Sequence, residues 1–384
     1  MPDEWLYNLI MQRLIAAGQE SAEGIAGSRY DAHWIGVLVI GLLILHHAAL
    51  AFLPWSTHLF LIWNEGSWIG ITCFAEFINP WGIPLLFVAS GMSFRLALDR
   101  RNFRQIASVL SLRMLLPLAF GGAVVGPLSL AIAVHYYYGR ASYVPTPAHL
   151  WFLGNLLIYV LVLFALLLWV LWRPDNFLVR GTKRLVGVGR GFGLVFLAVP
   201  LVLEAILTKS PTYVLYPFRL HGFIVGLLCF LLGFFFVSSA ETGRDAARRL
   251  RFGALVVAVG FALARLAALW RPSHAVVGLE AMSWFAVAWG FAARYLNRPS
   301  APLRYLSRAA FPVYILHLPV HLLVSSFLMP MSIHPLPKFL VLVVFTLSGS
   351  LGLYELVKRI PGIRLLLGVG RTCRRDRVLQ REGV

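Results

Sequence analysis

The sequence predicts an all-α fold, a polytopic transmembrane helical bundle of about ten spans. Three observations predict it. Hydrophobic residues make up 59% of the 384 residues and charged residues only 13%, against about 45–50% and 25% in a soluble domain. Runs of roughly 18 or more mostly apolar residues recur, each able to cross a hydrocarbon layer about 30 Å thick. Basic residues gather in alternate connecting segments, as they do in membrane proteins.

The runs place spans at 34–54, 71–97, 112–137, 148–172, 191–208, 219–239, 252–270, 275–294, 309–329 and 339–358. The second is interrupted by Glu76, Pro80 and Pro84. Proline inside a span is tolerated where neighbouring helices satisfy the freed backbone groups. Residues 1–33 read as a cytoplasmic segment, 34–358 as the transmembrane domain and 359–384 as a basic cytoplasmic tail. The first residues lack a basic start followed by an apolar core, so no cleavable signal peptide is expected.

Orientation follows from Lys and Arg. One set of segments carries Arg13 and Arg29; Arg95 to Arg113; Arg173 to Arg190; Arg244 to Arg251; Arg294 to Arg308; and the tail from Lys358. The opposite loops hold only Arg140, Lys209, Arg219, Arg271 and Lys338. This asymmetry puts both termini on the cytoplasmic side. It also accounts for the formal net charge of +18 as a topology signal and headgroup contact, not a nucleic-acid surface. Trp55, Trp63, Trp68, Tyr136, Tyr137, Tyr138 and Trp151 fall near the outer ends, as interfacial aromatics do. Cys73, Cys229 and Cys373 are far apart and form no CxxC pair, so neither a disulfide framework nor a zinc site is indicated.

Ionisable groups inside spans are costly and mark function or buried pairing. Here they are His46, His47, Glu76, Glu204, Arg265, Glu280, His317, His321 and Glu355. Histidine is well suited to move a proton near neutral pH, and a buried one beside a bound hydroxyl can serve as general base. By these residues alone, an enzyme and a proton-coupled carrier are equally favoured. Each also has a structural alternative. His46 and His47 point about 100° apart on a helix, so one of them packs while the other faces a site. His317 and His321 share a face, a spacing that suits a metal, but no HExxH pattern accompanies it. Glu204, Arg265 and Glu280 read better as buried ion pairs than as chemistry. The inner-loop arginines are topology determinants by default, with phosphate binding as their functional alternative.

Five blocks now carry a resemblance. YDAHWIGVLVIGLLILHHAALAF, FVASGMSFRLALDRRNF, LSLRMLLPLAFGGAVVGP, HLWFLGNLLIYV and YLSRAAFPVYILHLPV run in order from about residue 30 to 322. Together they resemble the acyltransferase 3 family of bacterial inner-membrane enzymes, within it the branch like the glucan-modifying C protein. The second block is similar to the family's Ser-Gly turn followed by a basic loop. The resemblance implies an O-acyltransferase that moves an acetyl- or succinyl-type group from cytoplasmic acyl-coenzyme A to a hydroxyl of an extracytoplasmic glycan or glycolipid. Acyl-coenzyme A is then a substrate, with no permanently bound cofactor and no metal.

Carried onto this chain, the resemblance makes His47 the base or transient acyl carrier, with Glu76 orienting it. Arg95, Arg101, Arg104 and Arg113 would hold the donor's phosphates. His46, His149, Trp151, Tyr314 and His317 would line the acceptor side of the cavity. The family's first helix carries an Arg eleven positions before its functional His; here that position is Gly36. The rival classes are a proton-coupled carrier or lipid or glycan flippase, and a membrane anchor without chemistry. No inverted internal repeat supports the carrier. The sequence sets neither the acyl group, the acceptor nor the oligomeric state.

A reporter fused to the C-terminus is expected to behave as cytoplasmic. An outward-facing signal there would overturn the orientation read from the arginines.

Overall fold

A computed structural model describes residues 29–98, 103–173, 175–208, 219–267 and 274–369. The described residues are helical almost throughout and include no strand. Most of the N-terminal segment 1–33, expected to be cytoplasmic, Arg101 and the tail from residue 370 lie outside them.

The helices follow the apolar runs. α1 is Tyr30–Leu50. The second run is one span of two pieces, α2 Ile69–Ile78 and α3 Gly82–Leu98, jointed at the turn that holds Pro80. α4 begins with Phe103–Leu110 and ends with Gly126–Tyr138, and contains π turns at Ser111–Leu115 and Gly121–Val125. The fourth run is broken, with α5 Trp151–Val162 and α6 Phe164–Trp172 meeting at a bend of 67°. α7 is Phe177–Gly187, and a 3₁₀ run leads into α8, Val199–Thr208. α9 Leu220–Ser238, α10 Ala240–Leu266, α11 His274–Phe291, α12 Ala301–Leu328, α13 Pro335–Val357 and the short α14 Pro361–Leu366 complete the order.

Among the described residues, seven helical stretches are long and apolar enough to cross a membrane, and the bent pair makes eight. The chain is therefore a polytopic membrane protein. α8 and α10 stand where the other two expected spans were placed. α8 is a shorter apolar helix. α10 begins twelve residues before the expected 252, because the presumed inner loop Arg244–Arg251 is itself helical. Local pairs support that extension: Glu241–Arg244 at 3.0 Å and Asp245–Arg248 at 3.5 Å, each three residues apart.

With no hydrophobic drive between helices in lipid, packing falls to shape and small residues. α3 and α9 show this. A Cβ added to Gly91 would collide with the Phe230 carbonyl, and one added to Gly233 with the Val88 carbonyl. The two backbones thus meet at glycines on both sides. Ser90–Gly91 accordingly lies inside a helix, not in the turn the resemblance suggested. Phe87, Phe230, Phe234, Phe236 and Trp289 are fully buried around this contact. The outer surface stays apolar, with Val162, Leu207, Val256 and Phe327 exposed, as suits a surface facing lipid. α1 packs against α2, α3, α12 and α13, and so sits inside the bundle with its outer half beside α12.

Gly91→Leu and Gly233→Leu are expected to cost more than the ~1–3 kcal/mol usual for overpacking, because backbone has to move. Each should sharply reduce monodisperse protein in size-exclusion chromatography from mild detergent. A normal elution profile for both would remove the close α3–α9 contact.

Candidate active site

The site is built on three pieces of chain: the outer half of α1, the middle of α12 and the 3₁₀ turn Ala148–Leu150 before α5. On α1 the two histidines separate as helix geometry requires. His46 is 5% exposed, and its Nε2 makes no hydrogen bond within the protein. His47 is half-buried. Its Nδ1 lies 2.9 Å from Nε2 of His317, and the two rings stack with centroids 5.1 Å apart and planes 16° from parallel.

On α12 the local sequence explains the polar cluster. Pro319 has no N–H, so the carbonyl of Ile315, four residues earlier, loses its intrahelical donor. In a membrane that carbonyl needs a partner from elsewhere in the protein. His149 supplies it. Its Nε2–H is shared between the carbonyls of Ile315 at 3.0 Å and Tyr314 at 3.1 Å. The Tyr314 hydroxyl donates in return to the His149 carbonyl at 3.0 Å. His317 Nδ1–H donates to the same Tyr314 carbonyl at 2.7 Å. The His149 and His317 rings meet edge to face at 4.9 Å.

The His149 turn is held against α4. Thr146 N–H donates to the Gly122 carbonyl at 3.1 Å, and a Cβ on Gly126 would collide with the Thr146 carbonyl. Glycine at 126 is what lets this loop approach. The structure thus brings together His47, His149, Tyr314 and His317. His321, one turn further along α12, is fully buried and neither ring nitrogen has a hydrogen bond within the protein. Among the described residues no group of three or more His, Cys, Asp or Glu is arranged to hold a metal ion.

Other expected site residues fall elsewhere. Glu76 is half-buried on α2. Its backbone carbonyl accepts from Arg265 Nη1 at 2.8 Å, and no hydrogen bond joins its carboxylate to His47; the ring next to His47 is His317. Trp151 packs against Phe87 and Phe152, at 6.2 and 6.3 Å, as part of the core beneath the turn. Arg95, near the inner end of α3, donates from Nε to Ser238 Oγ at 3.0 Å and lies over the Phe234 ring. Arg113 is half-buried on the first π turn of α4, and the backbone of Arg104 begins that helix. These arginines occupy the end opposite to His47.

Other polar residues in the spans are paired, some in ways sequence reading missed. Arg265 and Glu280 form a two-point ion pair at 3.0 and 3.2 Å. Glu204 pairs not with an arginine but with His221, at 2.6 Å. His221 was overlooked because it opens a span, where it reads as interfacial. At the inner end, the fully buried Asp31 lies 3.5 Å from Arg244 and 3.8 Å from Arg29. Arg29 also stacks over Trp289 at 4.9 Å and donates to the Val237 carbonyl at 3.1 Å. The one sequence signal was an aspartate among basic residues just before the first span.

Comparison with known proteins gives the family of the chain. A family model described as an acyltransferase domain, that of the acyltransferase 3 family, matches residues 33–355. The chain belongs to the acyltransferase 3 family. It is therefore a membrane acyltransferase for groups other than amino-acyl groups. It is similar to glucans biosynthesis protein C of Escherichia coli O81 (strain ED1a), 23% identical over 80% of this chain and 89% of that protein. It is equally similar to the protein of that name from Escherichia coli K12 (strain DH10B), 23% identical over 82% of this chain and 88% of that one. No solved structure matches. In this acyltransferase Gly36 faces α3; a Cβ there would rest 4.0 Å from Ser93 Oγ. The nearest basic residue before it on the chain, Arg29, is held by Asp31 and Trp289 at the inner end.

Arg265→Met is expected to destabilise the acyltransferase by about 3–5 kcal/mol, since Glu280 is left buried and unpaired. The double variant Arg265→Met/Glu280→Met should recover much of that loss. Thermal unfolding in detergent reads both. Equal losses in the single and double variants would mean the pair is not coupled.

Proposed function

We propose that the protein is an O-acyltransferase that carries an acyl group, of acetyl or succinyl type, from acyl-coenzyme A to a hydroxyl of an extracytoplasmic glycan. The observation that carries this reading is the half-buried His47 near the outer end of α1, with the basic residues at the opposite end. From Tyr30 to His47 is seventeen residue steps of α1, about 25 Å at 1.5 Å per residue. Donor and acceptor ends therefore lie on different sides of the bundle. In this reading the protein sits in a bacterial cytoplasmic membrane with both termini inside, as the arginine distribution favours. The names of its relatives, glucans biosynthesis protein C, favour a glucan among the acceptors.

The chemistry needs three things. Arg95, Arg104 and Arg113, with Arg101, offer guanidinium groups for the phosphates of coenzyme A on the inner side. The acyl thioester extends between the helices toward α1. His47 takes the proton of the acceptor hydroxyl as its oxygen attacks the thioester carbonyl. A C–O bond forms, the C–S bond breaks, and the departing thiolate is protonated to the free thiol. No oxidant, metal or further cofactor is needed for the balance. Glu76, with no bond to His47, is left to a supporting role on α2. His46 is buried and makes no hydrogen bond to the cluster.

His47→Ala is expected to lower acyl transfer by the roughly 10²–10⁴-fold that a general base contributes, while His46→Ala keeps measurable transfer. The readout is the acyl mass increment on periplasmic and surface glycans of cells carrying each variant at equal membrane level. Normal increments with His47→Ala, or their loss only with His46→Ala, would sink the assignment.

A further inference from the structure

The contact between His47 and His317 says more than that two rings are close. A neutral imidazole has one N–H and one bare nitrogen, and its partners decide which is which. His317 has its Nδ1 2.7 Å from the carbonyl of Tyr314. A carbonyl only accepts, so the proton of His317 is on Nδ1. Its Nε2 is then bare and accepts from whatever lies opposite, which is Nδ1 of His47 at 2.9 Å. Turning the His317 ring over would put carbon atoms at both contacts, so the two hydrogen bonds fix the ring orientation together. The described partners of the two rings include no carboxylate that would hold either as a cation.

We propose that His317 is a positioning residue that fixes the proton of His47 on Nδ1, leaving Nε2 of His47 as the basic nitrogen turned to the acceptor hydroxyl. This rests on the reading of His47 as general base. In water a free imidazole prefers its proton on Nε2, which would leave the basic nitrogen pointing at His317 instead of at substrate. The His317 ring reverses that preference. The reversal is anchored: His317 hangs from Tyr314, and Tyr314 is clasped to His149 in both directions. His317 is fully buried and never meets substrate directly. When His47 takes the hydroxyl proton on Nε2, the ring becomes a cation with both nitrogens protonated. His317 Nε2 then accepts a charge-assisted hydrogen bond from it, the stronger kind, so the same contact steadies the intermediate. His321 does not share this role, since it bonds to no ring nitrogen of the cluster.

The test uses full-length protein labelled with ¹⁵N-histidine in lipid nanodiscs, with the His47 resonances identified by their loss in His47→Gln. In the wild type, His47 should show an N–H at Nδ1 and a bare nitrogen at Nε2. In His317→Ala the proton should move to Nε2, and glycan acylation in cells should fall by more than about tenfold, part of the 10²–10⁴-fold at stake in a general base. His317→Gln keeps an acceptor oxygen at a similar reach and should restore both the Nδ1–H form and most of the acylation. A wild-type His47 protonated on Nε2 overturns the proposal without any variant having to fold. So does a His317→Gln protein that folds and holds the Nδ1–H form yet stays as inactive as His317→Ala. If instead the tautomers behave as stated while His47→Ala acylates normally, the hydrogen-bond assignment stands and the general-base reading fails.

Discussion

Pro319 has no N–H to give, and that one missing donor organises the outer half of the bundle. In water the carbonyl of Ile315 would be solvated. In hydrocarbon it needs a partner inside the protein, and the His149 side chain from the loop before α5 reaches it. Once His149 is committed to that carbonyl, the Tyr314 carbonyl beside it becomes a shared acceptor, and His317 is turned toward α1. A helix defect has thus become a four-residue hydrogen-bonded cluster, with His47 at its open end. His149, Tyr314 and His317 are each held by a backbone carbonyl, and His47 is held in turn by the His317 ring.

The same water-free setting separates the poles of the enzyme. Arg95 and Arg29 lie over aromatic rings at the end of the bundle opposite His47. Inside the spans, charged groups find partners within the protein: Arg265 with Glu280, Glu204 with His221, and the buried Lys338 with the Asn64 side chain and the Met329 carbonyl. Histidine is the exception, because it can sit in an apolar interior uncharged and still accept a proton. An apolar interior accommodates a neutral His more readily than an unpaired carboxylate, and the group bonded to the His47 ring is His317, not the Glu76 carboxylate.

Much of this was legible in the sequence, and what was not has a common cause. Apolar runs and alternating arginines announced the helical bundle, since both are consequences of local chain chemistry. Helical direction set His46 and His47 apart and the resemblance picked out His47; the structure gives the two rings different surroundings. The pairings were not legible. His47 and His317 are 270 positions apart, and nothing local in either helix names the other. Gly91 read as part of a turn through the resemblance; only the presence of Gly233 across the contact shows that it serves close packing. Arg244 to Arg251 read as a loop because their charge is wrong for a span, although helix and span are different things.

That last distinction has a mechanical consequence. α10 holds 27 residues, about 40 Å at 1.5 Å per residue, against a hydrocarbon layer of about 30 Å. The excess of about 10 Å is two turns, so the start of α10, bearing Glu241, Arg244 and Asp245, projects past such a layer as a rigid post. A single residue, Ser239, joins this post to α9, and Arg248 clamps α10 to the Ala293 carbonyl after α11. Three helices thus share one fixed waterline. Because α9 is locked glycine to glycine with α3, the level at which the bilayer meets that post also sets how deep the rest of the machine rides in the membrane.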